Sequence, residues 1–304
     1  MEPGEVNEVA IEGCSNLYYI DTGMYDTAGY GAAYILDADR PAIVETGIGT
    51  NHEYILEALA EIGIDRGNVE AIAVTHIHLD HAGGAGFLAE ACPNADVYVP
   101  AVGAGLLAAP SRLVDGTKAA VGEQWQYYTE PKPLEDDRIV EIDDGDTIDL
   151  GDHELEVYDA PGHAFHQVIF HDTENDAIFT GDAAGIWLPG PERIKETSPP
   201  SDFDLEGCLA DLETIRELDP NVLCYTHFGP REVDDIDAIV DEYATVLTEW
   251  VERVNAKSDE LEDDEAVVEY FAETAELPGV WNERKVRAEA ILNTRGVLAS
   301  LDDE

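Results

Sequence analysis

Three histidines and one aspartate lie within six residues of a chain that holds only nine histidines. They are His76, His78, Asp80 and His81 in the stretch 75-THIHLDHAGG-84, which has the pattern H-x-H-x-D-H. Imidazole nitrogens and carboxylate oxygens without a thiolate are ligands that suit zinc, iron or manganese. The alternative is a polar turn in which a histidine or an aspartate caps the following helix. The rest of the chain favours the metal site.

Three further strand ends carry a histidine or an aspartate beside a glycine. His163 ends the run P-G-H, Asp182 follows Gly181, and His227 lies in the run T-H-F-G-P. Loops at the ends of strands present such side chains at one edge of a rigid sheet. One tetrahedral ion uses about three or four ligands, whereas two ions about 3.5–4 Å apart can share a larger set. We therefore predict a two-metal site built from His76, His78, Asp80, His81, His163, Asp182 and His227.

The segments that must position these residues alternate between strand and helix patterns. Short apolar runs rich in Val, Ile and Tyr predict strands at 17–20, 32–36, 42–45, 71–75, 96–100, 139–142, 154–160, 167–171, 177–181 and 221–226. Helical spacing predicts helices at 52–63, 83–92, 204–218, 234–254, 264–276 and 283–295. Two stretches, 110–137 and 183–203, look irregular, and loops of that length are usually functional lids or linkers.

The ordered motifs resemble those of the metallo-β-lactamase superfamily, and within it the glyoxalase II-like metal-dependent hydrolases. The resemblance covers roughly residues 15–232. It implies an α+β fold, a four-layer αββα sandwich with the metals at one edge between the two sheets. We predict a metallohydrolase domain over residues 1–232 and a helical C-terminal extension over residues 233–304.

The resemblance also implies a division of the ligands. The first metal would be held by His76, His78 and His163, and the second by Asp80, His81 and His227. Asp182 would bridge them; in the true β-lactamases of the superfamily this bridging role is absent and a cysteine serves the second metal. The aspartate therefore argues against antibiotic hydrolysis as the evolved task. Glu45 replaces the usual strand-end aspartate of the family, which leaves its support of the metal loop open.

The expected chemistry is hydrolysis. Two divalent ions, zinc with iron or manganese as alternatives, lower the pKa of a shared water to about 7 and so supply hydroxide at neutral pH. Asp80 and Asp182 are the predicted catalytic residues, which orient the hydroxide and accept its proton; no organic cofactor site is predicted. The predicted substrate is a small thioester, lactone or related ester. The alternatives are an iron-dependent sulfur or oxygen oxidoreductase of the same fold, a phosphodiesterase, and a β-lactamase-like side activity.

The charge balance limits the partners. Sixty-seven acidic residues against 16 basic ones leave a net charge of −51, which repels phosphate backbones and anionic lipids. We expect a small-molecule substrate and neither nucleic acid nor membrane as a partner. Molar salt shortens the Debye length to about 3 Å and relieves the self-repulsion, so we predict a halophilic protein of a high-salt cytoplasm. The four scattered cysteines fit that reducing compartment, and the acidic N-terminus shows no secretory signal.

The substrate pocket is predicted from two places. His166 follows the P-G-H run closely enough to touch substrate, with a packing or surface role as the alternative. The stretch 183–203 follows Asp182, so Trp187, Leu188 and Phe203 could form an apolar wall beside the metals or could only pin the loop to the core. The helical extension could cover the mouth of the site or form a homodimer. We expect the remaining histidines to be exposed, namely His52, His153 and His171.

Overall fold

A seven-stranded sheet forms the first half of the computed structural model, which describes residues 2–277 and 279–302. Its strands lie in chain order: β1 (Val6–Glu8), β2 (Leu17–Asp21), β3 (Ala32–Leu36), β4 (Ala42–Val44), β5 (Ala71–Ala73), β6 (Asp96–Pro100) and β7 (Ile139–Ile142). Strands β1 to β4 pair antiparallel, and β4 to β7 pair parallel. The change to parallel pairing requires the helical crossovers that cover one face of this sheet.

The second half of the chain forms a six-stranded sheet and a separate hairpin. The strands of the sheet are β8 (Thr147–Asp149), β9 (Glu154–Asp159), β10 (Val168–Asp172), β11 (Ala177–Gly181), β14 (Val222–Tyr225) and β15 (Gly229–Glu232), and those of the hairpin are β12 (Ile186–Leu188) and β13 (Arg193–Lys195). The order of strands in the sheet is β15-β14-β11-β10-β9-β8. The pair β11 and β14 is parallel, and the other pairs are antiparallel.

Nine α-helices occur among the described residues. They are α1 (His52–Ile62), α2 (Leu79–Ala82), α3 (Ala85–Ala91), α4 (Ala101–Ala108), α5 (Ser111–Val121), α6 (Leu205–Leu218), α7 (Ile236–Leu261), α8 (Asp264–Thr274) and α9 (Glu283–Asp302). The side chains of Asp204, Asp235 and Asp263 accept hydrogen bonds from backbone N–H groups in the first turns of α6, α7 and α8. This capping explains why those helices begin where the sequence places an aspartate. No helix in the described part of the chain is both long and apolar enough to cross a membrane.

Three hydrophobic clusters separate the layers. Ile35 on β3 packs with Ile55 and Leu59 of α1, outside the first sheet. The alternate residue Tyr34 packs with Phe179 of β11, between the two sheets. A third cluster joins the outer face of the second sheet to α6 and to the C-terminal helices. These layers confirm the predicted four-layer αββα sandwich with a helical C-terminal region. The division into two domains at residue 232 stays a prediction.

Two segments that the sequence leaves irregular are partly regular. The stretch 110–137 contains α5 and a 3-10 helix at Gly122–Tyr127, and the stretch 183–203 contains the β12–β13 hairpin. Helix α5 carries its small and apolar residues at helical spacing but buries only Val114 fully. Helix α4 has the sequence AVGAGLLA, which is apolar or small on every face and shows no period. The prediction that the stretches 110–137 and 183–203 are irregular is therefore wrong for the residues of α5, the 3-10 helix and the hairpin.

Candidate metal centre

Four strand-end segments bring the seven predicted ligands to one edge of the sandwich. His76 and His78 follow β5, and α2 carries Asp80 and His81 one turn later. The remaining three follow strands of the second sheet: His163 after β9, Asp182 after β11 and His227 after β14. Five of the seven are buried, and His78 and Asp80 are partly exposed, Asp80 with 24% of its side chain. The sequence-derived set is thus a spatial cluster.

One group within the cluster consists of three imidazoles. The Nδ1 atom of His78 lies 3.0 Å from Nε2 of His76 and 3.3 Å from Nε2 of His163. The three ring nitrogens all lie within 4.8 Å of one another, close enough to share one ion. This group matches the set that the family resemblance implies for the first metal.

A second group lies beside the first and is joined to it by Asp182. Ligand atoms of Asp80, His81 and His227 lie within 4.8 Å of one another. The Oδ2 atom of Asp182 is 3.2 Å from Nε2 of His163 and 3.6 Å from Nε2 of His81, and its Oδ1 atom is 3.4 Å from Nε2 of His227. One carboxylate therefore contacts imidazoles of both groups.

Hydrogen bonds outside the cluster set the tautomers of two imidazoles. Nδ1 of His81 lies 3.1 Å from Oε2 of Glu45, and Nδ1 of His227 lies 3.3 Å from the carbonyl oxygen of Tyr30. Carboxylate and carbonyl oxygens only accept, so each Nδ1 carries the proton and each Nε2 offers a lone pair to the cluster. The other carboxylate oxygen of Glu45 accepts from the backbone N–H of Thr75 at 3.2 Å. The longer side chain of Glu45 thus reaches both His81 and Thr75 and connects the end of β4 to the histidine loop.

Unpaired polar atoms test whether metal ions fit. Nε2 of His81 and Oδ1 of Asp182 are buried, face the cluster, and have no hydrogen-bond partner among the described residues. A buried polar atom without a partner costs about 1–3 kcal/mol. Two divalent ions would satisfy both atoms, and the nitrogen and oxygen donors are ligands that such ions accept. The residues therefore fit a pair of divalent metals.

The protonation states also suit metal binding. Burial lowers the pKa of His163 to about 3, with His78 adding to the effect and Asp182 opposing it. Burial raises the pKa of Asp182, but the imidazoles of His163, His81 and His227 outweigh it and hold that pKa well below the usual range. Around His81, burial is likewise outweighed, here by Glu45, Asp182 and Asp80, and its pKa is raised well above normal. These carboxylates hold a proton on Nε2 of His81, and a metal ion that binds there would displace this proton and supply the positive charge in its place.

A cavity of about 560 Å³ opens from the cluster. His78, Asp80 and Asp182 form part of its floor, and His166 lines it with its ring 5.2 Å from that of His78. Burial lowers the pKa of His166 to about 3, so this imidazole is neutral at pH 7. The structure thus places His166 where the sequence predicted a pocket residue.

The predicted apolar wall is wrong. Trp187 and Phe203 belong to the hydrophobic cluster around α6 and α7, and neither lines the cavity. Side chains alternate along a strand, so β12 turns Ile186 toward the cavity and Trp187 toward the opposite face, where Arg231 lies 4.0 Å above its ring. Leu188 is also buried in a core cluster. The structure therefore supports the alternative role, in which Trp187 and Phe203 pack into the core and anchor the loop.

The walls of the cavity come instead from the stretch 110–137, which the sequence offered as a lid or linker, and from the helical extension, which it offered as a cover for the site. Helix α5 contributes a face spaced at i, i+3, i+4 and i+7, namely Leu113, Gly116, Thr117 and Ala120. Helix α9 contributes Glu289, Leu292 and Arg295, and Tyr25 and Tyr128 also line the cavity. The spacing in α5 was visible in the sequence, but nothing local indicated what that face covers.

One of the histidines expected to be exposed is buried. His153 is 2% exposed, and its Nδ1 lies 3.0 Å from Oδ1 of Asp172. The prediction fails because Asp172 pairs with the imidazole and makes its burial tolerable. His52 and His171 expose only 19% and 12% of their side chains, so neither has the exposure that was expected.

Two helix-covered sheets with a histidine and aspartate cluster at one edge define an αββα protein with a candidate metal site. The family model described as the metallo-beta-lactamase superfamily matches residues 26–227, and the chain belongs to that superfamily.

Several curated relatives match at low identity. The metallo-beta-lactamase fold-containing protein of Sulfurisphaera tokodaii is 24% identical over 71% of this chain and 79% of its own length. An acyl-coenzyme A thioesterase of Gallus gallus is 25% identical over 58% of this chain and 67% of its own. A hydroxyacylglutathione hydrolase of Erythrobacter litoralis is 27% identical over 73% and 71%.

Among solved structures, an archaeal metallo-beta-lactamase superfamily protein from Sulfolobus tokodaii has a TM-score of 0.70 at 19% identity, covering 94% of this chain and 99% of its own. A metallo-beta-lactamase family protein from Thermus thermophilus has a TM-score of 0.66 at 21% identity, covering 90% and 88%. At such identities the likeness shows the shared fold.

Proposed function

We propose that the protein is a metal-dependent hydrolase of a small carbonyl substrate, a thioester, a lactone or a related ester, of the glyoxalase II-like kind. The observation that carries this proposal is the position of Asp182, whose two oxygens contact imidazoles of both ligand groups. A carboxylate shared in this way is the arrangement that a two-metal hydrolytic site uses. Zinc is the proposed metal, with iron or manganese as alternatives.

Each residue of the cluster has a proposed role. The first ion would be held by His76, His78 and His163, the second by Asp80, His81 and His227, and both by Asp182. Bound ions lower the pKa of a coordinated water to about 7 and polarise a carbonyl oxygen. Asp80 is the cluster carboxylate that reaches the cavity with partial exposure. We assign Asp80 and Asp182 to orienting the attacking water and accepting its proton.

The substrate class follows from the cavity and the charge. Much of the wall is aliphatic, including Ile77, Leu79, Leu113 and Ile186, which suits an acyl chain. A net charge of −51 disfavours a polyanionic phosphodiester. Of the relatives described above, one is named as an acyl-coenzyme A thioesterase and another as a hydroxyacylglutathione hydrolase. These names support an acyl substrate.

We further propose that the extension after residue 232 covers the mouth of the site. Glu289, Leu292 and Arg295 of α9 line the cavity, so this helix forms part of the wall around the substrate. A homodimer through the same extension is the alternative that the sequence left open.

The test of the function combines metal analysis with a substrate panel. Protein purified in molar KCl without a chelator should contain near two equivalents of metal per chain. It should hydrolyse S-butyryl-N-acetylcysteamine or γ-butyrolactone in preference to nitrocefin and bis(p-nitrophenyl) phosphate. His78→Ala and Asp80→Ala should abolish the activity, whereas His52→Ala, outside the cavity, should not.

Three results would contradict the proposal in different ways. A single equivalent of metal that added zinc, iron or manganese cannot raise would exclude the two-metal site. Preference for the phosphodiester would overturn the substrate class. Oxygen uptake with a persulfide, without hydrolysis of any ester, would overturn the reaction class.

A further inference from the structure

Two tyrosine hydroxyls meet in the wall of the cavity. The hydroxyl oxygens of Tyr25 and Tyr128 are 2.5 Å apart, and both residues line the cavity that opens from the metal cluster. Among the described residues, neither hydroxyl has another hydrogen-bond partner. Two hydroxyls carry two protons, and the bond between them uses one. One O–H therefore remains for an acceptor inside the cavity.

The backbone holds Tyr25 in a conformation that aromatic residues rarely adopt. Tyr25 has φ of 55°, in the left-handed region, within the 3-10 helix Met24–Asp26. Such a conformation costs of order 1–3 kcal/mol and is retained where the surrounding structure demands it, often at a functional site. Tyr25 is only 6% exposed, so its ring is fixed by its neighbours.

The helical extension supplies much of that support. The ammonium group of Lys285 on α9 lies 3.7 Å from the ring centroid of Tyr25, in cation–π contact. The same ammonium donates hydrogen bonds to Glu289 on α9 and to Gln124, at 3.0 Å, in the 3-10 helix that precedes Tyr128. One buried lysine thus connects both tyrosines to α9. The hydroxyl pair has a defined position.

The ring of Tyr25 is connected to a proposed metal ligand through one other aromatic ring. The ring of Tyr25 packs against that of Tyr30 at 5.6 Å, and Tyr30 stacks on the imidazole of His227 at 4.5 Å. Asp80 lines the same cavity. A phenol has an ordinary pKa of about 10, so at neutral pH the free hydroxyl is a donor.

We propose that Tyr25 and Tyr128 act together as a hydrogen-bond donor to the oxyanion that forms on the substrate carbonyl oxygen during hydrolysis. This inference rests on the proposed function. Water adds its oxygen to the carbonyl carbon, the π pair moves to the carbonyl oxygen, and a carboxylate takes the proton of the water. The electron pair on the carbonyl oxygen then re-forms the C=O bond, and the bond from the carbonyl carbon to the leaving sulfur or oxygen breaks. The proton that the carboxylate took from the water passes to the leaving group. The tyrosines stabilise the transient negative charge and transfer no proton themselves.

The chain offers a matched control for the hydroxyls. Tyr25→Phe and Tyr128→Phe remove one oxygen each and keep the packed rings. Tyr127→Phe makes the same change in the neighbouring residue, whose ring packs edge-on against Tyr25 at 5.8 Å but does not line the cavity. The metal content of all three variants should match that of the unchanged protein, and the lost hydrogen bond should lower the melting temperature of the two cavity variants by only a few degrees.

The first measurement is the hydrolysis of S-butyryl-N-acetylcysteamine and p-nitrophenyl butyrate in molar KCl. Either cavity variant should lower kcat by about 10- to 100-fold with little change in KM, since a donor to developing charge acts only in the transition state. The double variant should cost about as much as the worse single variant, because the two hydroxyls work as one donor. Tyr127→Phe should leave kcat unchanged. A rise in KM at constant kcat would overturn the proposal.

The second measurement does not depend on turnover. Butylboronic acid becomes tetrahedral when an oxygen adds to boron, and calorimetry gives its affinity for each metal-loaded variant. It should bind the unchanged protein more tightly than either cavity variant, by a factor that follows the loss of kcat. Equal affinity in all variants would overturn the proposal even if the unchanged protein hydrolyses nothing on the panel. That absence of hydrolysis would instead contradict the proposed function.

Discussion

Replacement of Glu45 by glutamine should weaken metal binding at the second position of the cluster. Glu45 accepts from Nδ1 of His81 through one oxygen and from the backbone N–H of Thr75 through the other. In Glu45→Gln the amide oxygen can still accept from Thr75, but its NH₂ group then faces the Nδ1–H of His81. Two donors cannot bond, so the imidazole either loses its partner or moves its proton to Nε2, the atom that faces the metal.

The expected magnitude follows from that hydrogen bond. A buried hydrogen bond to a charged group contributes about 1.5–3 kcal/mol. Loss of such a partner behind a metal-binding histidine typically lowers affinity by about 10–100-fold. We expect that decrease for the second ion, whereas the group of His76, His78 and His163 should keep its affinity because none of its rings contacts Glu45.

Competition with a chelating dye in molar KCl would measure the two affinities as separate phases. Glu57→Gln, which changes an exposed carboxylate on α1, is the matched control and should alter neither phase. If Glu45→Gln left both phases unchanged, or weakened both equally, the assignment of His81 to a separate second position would be wrong.

Three further outcomes are expected. Asp182→Ala should lower the metal content more than any other single substitution in the cluster, because this carboxylate contacts both groups; elemental analysis of the variants beside His78→Ala checks this. The melting temperature should rise steeply from dilute buffer to molar KCl as screening relieves the self-repulsion of −51 charges, and a salt-independent value would remove the halophile prediction. The hydrogen bond that Asp172 accepts from Nδ1 of His153 raises the pKa of that imidazole. The stabilisation from the His153–Asp172 pair is therefore complete below the ordinary histidine pKa of about 6.5, and it is lost as the pH rises through the raised pKa. His153→Gln should therefore lower the melting temperature more at low pH than at alkaline pH.

The sequence by itself determined the layer structure and the identity of the clustered residues. Each strand predicted around the site is present, and the aspartates before α6 and α7 cap the helices predicted after them. Each predicted ligand lies directly after a strand or in the first turn after one, so local spacing was enough to indicate a common edge. Their function as ligands stays a proposal, but their proximity is a property of the fold.

The tertiary structure alone decided what surrounds that cluster. Nothing local relates Tyr25 to Tyr128 or either of them to Lys285, because contacts between segments so distant in sequence depend on how helix faces pack. The same limit explains the error at Trp187: alternation along β12 requires neighbouring residues to face opposite sides, but only packing against α7 decides which side is the core. His153 was mistaken for a surface residue for a related reason, since its partner Asp172 is 19 positions away on another strand. Sequence periodicity defines which residues share a face, and the free energy of packing decides what that face meets.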